Sequence, residues 1–220
     1  MHVLLVNATM RRQSTYHMAQ AFIQALPGSP EVQEVFLPRD LPAFCTGCGS
    51  CFTDGDGACP HHPYTERLWE QVRWADLLVF ANPVYVFHVT GGLKNFFDHF
   101  GCHWMVHRPD PKLFTKQAAV LTAAAGGGMR SAEKDVLDSL HFWGVSHIYT
   151  CRVRTMAISW EEIPAGRREK LLAKAAALAK RVRRPGALRA TPAGWARFRL
   201  MGKLVGGLSA YDKAYWKATF

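Results

Sequence analysis

The sequence predicts an α/β protein built on a doubly wound, five-stranded parallel sheet in the order 2-1-3-4-5, and three observations predict it. Runs such as Leu77-Leu78-Val79-Phe80-Ala81 are apolar throughout rather than alternating, the pattern of a strand buried on both faces. Between such runs, apolar residues recur every three or four positions, as helices that cover a sheet require. The 220 residues are 49% hydrophobic, enough to bury one proper core with an appendage.

The elements follow in order. His2 to Val6 reads as the first strand, and Asn7 through Gln13 as the loop leaving it. A helix opens near Ser14 with Met18, Phe22, Ile23 and Leu26 on one face, and Pro27-Gly28 stops it. Val32 to Leu37 is the second strand. Pro38 to Pro63 is too long and irregular to be a mere connection. Tyr64 to Trp74 is an amphipathic helix with Leu68, Trp69 and Val72 inward, and Leu77 to Ala81 is the third strand, closed by Asn82-Pro83. A helix is expected from about Leu93 to His107. Gln117 to Ala123 is the fourth strand, residues 129–143 a helix and Val145 to Cys151 the fifth strand. Ser159-Trp160-Glu161-Glu162 has the form of a capping box, and Leu171, Ala175, Leu178 and Val182 stripe the helix that follows.

The charge is unevenly divided. Residues 1–166 hold 13 Lys/Arg against 15 Asp/Glu, whereas residues 167–220 hold 14 Lys/Arg against Glu169 and Asp212 alone, so the net +10 belongs to the tail. A nucleic-acid enzyme places its basic patch around its site; this division predicts a small-ligand domain over 1–184, with no specific nucleic-acid partner, and a basic amphipathic extension over 185–220. In that extension Thr191-Pro192 opens a helix on which Trp195, Phe198, Met201, Val205 and Leu208 share one side. Such a helix fits docking on the same core or on a dimer mate, lying on an anionic membrane surface, or covering an acidic partner. No apolar run approaches the ~20 residues of a membrane span and no secretory leader is legible, so a cytoplasmic protein is expected.

Three turns leave the same rim of the expected sheet. Asn7 to Ser14 is hydroxyl-rich and cationic and opens a helix, a combination that holds phosphate through free amides, the helix dipole and Arg11. The turn after the third strand carries Tyr85 and Phe87, suited to a flat ring, and Ala124-Ala125-Gly126-Gly127-Gly128 permits close backbone approach. Cys45-Thr46-Gly47-Cys48-Gly49-Ser50-Cys51, with Cys59 after seven more residues, fits a [4Fe–4S] cluster, a tetrahedral zinc or thiols without metal. His61 and His62 read as solvated imidazoles, and His99 and His103, one turn apart, have no third ligand legible in the sequence.

Pro83-Val84-Tyr85 with Thr90-Gly91-Gly92-Leu93-Lys94-Asn95-Phe96-Phe97-Asp98 resembles the flavin segment of flavodoxin-like NAD(P)H-dependent FMN reductases. Thr9, Arg11 and Ser14 fall on the Ser, Arg and Ser of that family's phosphate turn, and the cysteine spacing resembles that of its iron-sulfur flavoprotein branch. Asn82, His99 and Ala8 depart from the family's usual residues. The resemblance implies a flavodoxin-like fold and an FMN-dependent oxidoreductase, commonly a homodimer, passing hydride from NAD(P)H to a small acceptor such as a quinone or a flavin. Its FMN contacts would be Thr9, Arg11, Ser14, Thr15, Pro83, Val84, Tyr85, Val86, Gly126, Gly127 and Gly128, and a cluster would sit on Cys45, Cys48, Cys51 and Cys59. No acid–base side chain is expected, because the chemistry is the cofactor's. Two alternatives remain open: an iron-sulfur electron carrier, and a flavin-free redox-sensing or binding protein.

Overall fold

A computed structural model describes residues 1–203 and 209–220. Its strands are β1 (His2–Asn7), β2 (Glu31–Phe36), β3 (Leu77–Pro83), β4 (Gln117–Ala124) and β5 (His147–Arg154), all parallel, in the order β2-β1-β3-β4-β5. The expected order is the observed one. β3 and β4 are buried almost end to end because helices cover both faces, which is why their sequences do not alternate.

Helices α1 (Ser14–Gln24), α2 (Ser50–Thr53), α3 (His62–Trp74), α4 (Gly91–His99), α5 (Met129–Trp143), α6 (Ala165–Ala179), α7 (Pro192–Gly202) and α8 (Ala210–Thr219) complete the chain. On one face Leu4, Val6, Leu78 and Phe80 meet Leu68 and Val72 of α3, Phe96 of α4 and Trp143 of α5. On the other, Val3, Leu5, Val79 and Leu121 meet Met18 and Phe22 of α1 and Leu171 and Ala175 of α6.

Four expectations are corrected. The helix foreseen from Leu93 to His107 is α4 alone, ending at His99 and followed by a short 3₁₀ turn, Gly101–His103. Buried Phe100, Cys102 and Met105 continue the apolar signal past the point where the backbone leaves the helix. β5 runs to Arg154 rather than stopping at Cys151, because on this edge strand Arg152 and Arg154 point outward and break the apolar run without breaking the strand. Glu162 does reach back to the Ser159 amide at 3.4 Å, but the helix begins only at Ala165, so the box closes a turn. α6 ends at Ala179, before Val182, the last residue of the expected stripe.

The extension packs back on the domain. Phe198 of α7 is buried with Met105 and Phe114, whereas Trp195 and Leu200 remain exposed. Val205 and Leu208 of the foreseen stripe lie outside the described residues. From α8, Asp212 is buried against Arg108 and His107, Tyr215 donates to the Pro109 carbonyl, and Trp216 donates to that of His107. Among the described residues no helix is long and apolar enough to cross a membrane.

Candidate functional site

At the carboxyl rim of β1, β3 and β4 a cavity of about 170 Å³ is lined by Thr9, Arg11, Gln13, Ser14 and Thr15, by Pro83, Val84 and Tyr85, and by Ala123, Ala124 and Ala125. Such a rim gathers loops because parallel strands all deliver their carboxyl ends to one side. Seven of the eleven residues foreseen as flavin contacts share this one cavity: Thr9, Arg11, Ser14, Thr15, Pro83, Val84 and Tyr85.

The first wall is an uncapped helix start. α1 begins at Ser14 as foreseen, but its cap position is Gln13, whose side chain makes no capping bond and instead accepts from the Trp160 amide. The first-turn amides have no intrahelical acceptor and no side-chain cap, the turn holds no acidic residue, and Gln13, Ser14 and Thr15 line the cavity, so the positive end of the helix dipole lies at its wall. Thr9 Oγ1 accepts from the Arg11 amide at 3.2 Å and shapes the turn that carries the guanidinium.

The second wall continues β3. Val84 donates to the Ala123 carbonyl at 3.0 Å, so Pro83 interrupts the ladder without detaching the chain from β4. Tyr85 and His88 then exchange amide bonds of 2.9 and 3.0 Å around Val86 and Phe87, whose φ values are +48° and +66°. Two positive φ angles at the centre of a hairpin turn are ordinarily met by Asn-Gly; in a β-branched residue followed by Phe they are strained. Asp135 of α5 holds the exit of this turn through His88 and the Val89 amide, and Thr90 caps α4 while donating to the Ala8 carbonyl at 2.7 Å.

Val86, Gly126, Gly127 and Gly128 do not line the cavity. Val86 is 93% exposed at the turn's tip. Gly127 and Gly128 stand against the turn: a Cβ on Gly128, at φ +82°, would lie 2.7 Å from Phe87 Cα and 2.9 Å from Val84 Cγ1. Alanines 123–125 take the place expected of the glycines, their short side chains leaving the slot open.

A further wall went unforeseen. Thr155, Ala157 and Ile158 line the cavity, stapled in place by bonds from the Thr155 and Met156 amides to the carbonyls of Ala124 and Ala125. The signal that would have found them is the length of β5: a strand ending at Arg154 delivers Thr155 to this rim, one ending at Cys151 does not.

The residues present fit a flavin mononucleotide. Uncapped amides with Arg11 suit the phosphate, and Pro83, Val84 and Tyr85 facing small alanines suit a flat ring.

The cysteines sit elsewhere, around a second cavity of about 260 Å³ lined by Cys51, Cys59, Cys102, His99 and His103 among others. Cys45 and Cys48 are exposed, while Asn95 of α4 fixes the loop's entry by accepting from the Cys45 amide and donating to the Ala43 carbonyl. A hydrogen bond from Cys102, helped by the Arg108 charge, draws the Cys51 thiol down to about 7, and hydrogen bonds with Ser50 lower that of Cys48. Burial raises Cys59, with the neighbouring thiols adding to it, and burial lowers His103 to about 4. Among the described residues, two sets of three ligand atoms lie within 4.8 Å of one another: Cys59, His61 and His99, and Asp56, Cys102 and His103. His99 and His103, paired in the sequence reading, thus fall in different sets, and His61 is not a free loop imidazole: its Nδ1 lies 2.9 Å from His99 Nε2.

Residues 1–157 match the family described as NADPH-dependent FMN reductase. The chain is 34% identical over 146 residues to an FMN-dependent NADH:quinone oxidoreductase of Pseudomonas aeruginosa, covering 61% of this chain and 64% of that protein. It is 27% identical over 142 residues to an iron-sulfur flavoprotein of Methanocaldococcus jannaschii, covering 64% of this chain and 69% of the relative. Among solved structures, an NAD(P)H:quinone oxidoreductase from Methanothermobacter marburgensis superposes with a TM-score of 0.62 at 17% identity, over 82% of this chain and 96% of that one, a likeness of fold.

Proposed function

The chain belongs to the NADPH-dependent FMN reductase family of flavin-dependent oxidoreductases, and from that premise we propose that the rim cavity binds FMN and passes reducing equivalents from NAD(P)H to a small acceptor of the quinone or flavin class. The single observation that carries this reading is that the uncapped start of α1, with Arg11 beside it, opens onto the same cavity as Pro83, Val84 and Tyr85. When bound, FMN supplies the two-electron chemistry, which explains why no acid–base pair is needed there.

The chain's own residues then have distinct tasks. The amides of the first turn of α1 and Arg11 hold the phosphate, Thr9 and Ser14 add hydroxyls, and the Pro83–Tyr85 segment fixes the plane of the ring. Val86 and Phe87 project beyond the cavity; they give a second copy of the chain an apolar surface to cover, and the reading includes that homodimer.

A titration tests this. Cofactor-free full-length protein added to FMN should quench flavin fluorescence to a one-to-one end point and bind FMN at least about tenfold more tightly than riboflavin, a margin of about 1.4 kcal/mol that only the phosphate can supply. The loaded protein should oxidise NADH or NADPH when a quinone is present. Failure to take up FMN, or equal affinity for riboflavin, overturns the phosphate assignment.

A further inference from the structure

We propose that Cys59, His61 and His99 form a binding site for one borderline-soft divalent cation, zinc by its chemistry. The site shares no residue with the flavin cavity and does not depend on it.

Three features place it there. First, one sulfur and two imidazole nitrogens lie mutually within 4.8 Å, brought together from the Cys59-Pro60-His61 turn and from the last turn of α4. Zinc binds nitrogen at about 2.0–2.1 Å and sulfur at about 2.3 Å, so tetrahedral ligand atoms stand roughly 3.3–3.7 Å apart. Second, the tautomers are set. His99 Nδ1 lies 2.9 Å from the Asn95 carbonyl, which can only accept, so Nδ1 carries the hydrogen and Nε2 presents its lone pair. That lone pair faces His61 Nδ1 at 2.9 Å, an arrangement in which His61 donates a single proton to His99. A cation takes both lone pairs once the His61 hydrogen sits on Nε2, the nitrogens parting by about 0.4 Å and the rings turning so that both lone pairs converge on the ion. Orientation of a metal-binding imidazole by a backbone carbonyl on its other nitrogen is the usual outer support of such sites. Third, the His61 amide donates to Cys59 Sγ at 3.4 Å, which fixes the position of the sulfur beside the two rings.

The donor set selects the ion. One thiolate with two imidazoles suits zinc; magnesium and calcium prefer oxygen, and this trio offers none. Three protein ligands leave a fourth position open, and Cys59 and His99 both line the second cavity, so that position faces space where a water or a small anionic ligand fits. Zinc binding releases the Cys59 thiol proton, and the His61 hydrogen moves from Nδ1 to Nε2 so that both imidazoles bind as neutral ligands. A [4Fe–4S] cluster on Cys45, Cys48, Cys51 and Cys59 would take the same Cys59 thiolate, so the two sites exclude one another.

The test uses tag-free, full-length protein stripped with chelator and titrated with zinc, with bound metal measured by elemental analysis and the site probed by the visible absorption of cobalt. One ion per chain, with the thiolate-to-cobalt and tetrahedral bands, is expected. His61→Ala and Cys59→Ser should each weaken zinc binding at least about a hundredfold, whereas Cys45→Ser and Cys48→Ser should leave it within about twofold. His61 is only half-buried, and circular dichroism of the His61→Ala protein reports that it is folded. Zinc held by His61→Ala with wild-type affinity, or loss of the metal in Cys45→Ser and Cys48→Ser, overturns the proposal. So does absence of a stoichiometric ion in the wild-type chain, or recovery of iron and acid-labile sulfide in its place after anaerobic purification.

Discussion

Gly128 has two separate reasons to be glycine: a φ of +82° and a Cβ position 2.7 Å from Phe87 Cα. Gly128→Ala must therefore push the Val84–Phe87 turn off the glycine loop, since the obstructing atom is backbone rather than the end of a mobile side chain. The expected result is FMN affinity at least about tenfold weaker with the fold retained, read by fluorescence titration alongside circular dichroism; unchanged affinity would detach that turn from flavin binding. Val86, at φ +48°, is the reverse case, a β-branched residue where Asn is the better occupant. Val86→Asn should raise stability by about 1 kcal/mol in a denaturant titration. Lys116 shows burial acting on charge. Its ammonium donates to the Arg73 and Ala75 carbonyls, and burial lowers its pKa to about 8. The unfolded chain then binds more protons than the folded one between pH 8 and roughly 10.5, so this residue makes stability rise across that window. Below pH 8 the cost of burying the charge is fully present. Lys116→Met, compared with wild type by urea unfolding from pH 7 to 10.5, should flatten the rise; parallel pH profiles would show that the buried charge is not its source.

The start of α1 separates stability from binding in one element. With no side-chain cap and no acidic residue in its first turn, it lacks the groups that ordinarily stabilise a helix start. Ser14→Asp should stabilise the cofactor-free protein by about 0.3–1 kcal/mol through the dipole while weakening FMN at least about tenfold through repulsion of the phosphate. A substitution that stabilised the protein and left FMN affinity unchanged would place the phosphate elsewhere. This helix was legible because its apolar spacing is regular and a strand precedes it; β1, β3 and β4 were legible because burial on both faces erases alternation. The end of β5 was not, since Arg152 and Arg154 are polar on an edge strand, and with it the Thr155–Ile158 wall was lost to view. The Gly126–Gly128 loop was placed at this rim, but a glycine run announces close approach without saying whether ligand or neighbouring backbone is what approaches; at Gly128 it is the backbone of Phe87. His61 and His99 are 38 residues apart, and only the packing of the cysteine loop on α4 brings their rings together.

Across the whole molecule, the basic excess of the tail obscures how that tail is held. Its anchor is acidic: Asp212, buried on α8, meets Arg108 and His107, and Arg108 also donates to the Cys51 carbonyl and to Asp56 at 2.9 Å. One buried guanidinium thus joins the last helix to the cysteine loop, with the Tyr211 ring 5.0 Å away. Removing one partner of a buried pair costs about 3–5 kcal/mol because the remaining charge is left without its counterion. Asp212→Ala leaves Arg108 with Asp56 and the Cys51 carbonyl, so the penalty falls on the docked helix and not on the sheet. This terminal helix of ten residues is held besides by Tyr215 and Trp216, by the Ser209 hydroxyl donating to the Phe52 carbonyl and by the stack of Trp216 on Phe198, contacts that α8 shares with α2, loops and α7 and not with the sheet. In hydrogen exchange, residues 209–220 of the Asp212→Ala chain should lose protection while β1, β3 and β4 keep theirs, and FMN affinity should stay within about twofold because the two regions share no residue. Protection lost together in the tail and the central strands would instead make the extension part of one cooperative unit, with Arg108 tying that unit together rather than fastening an appendage.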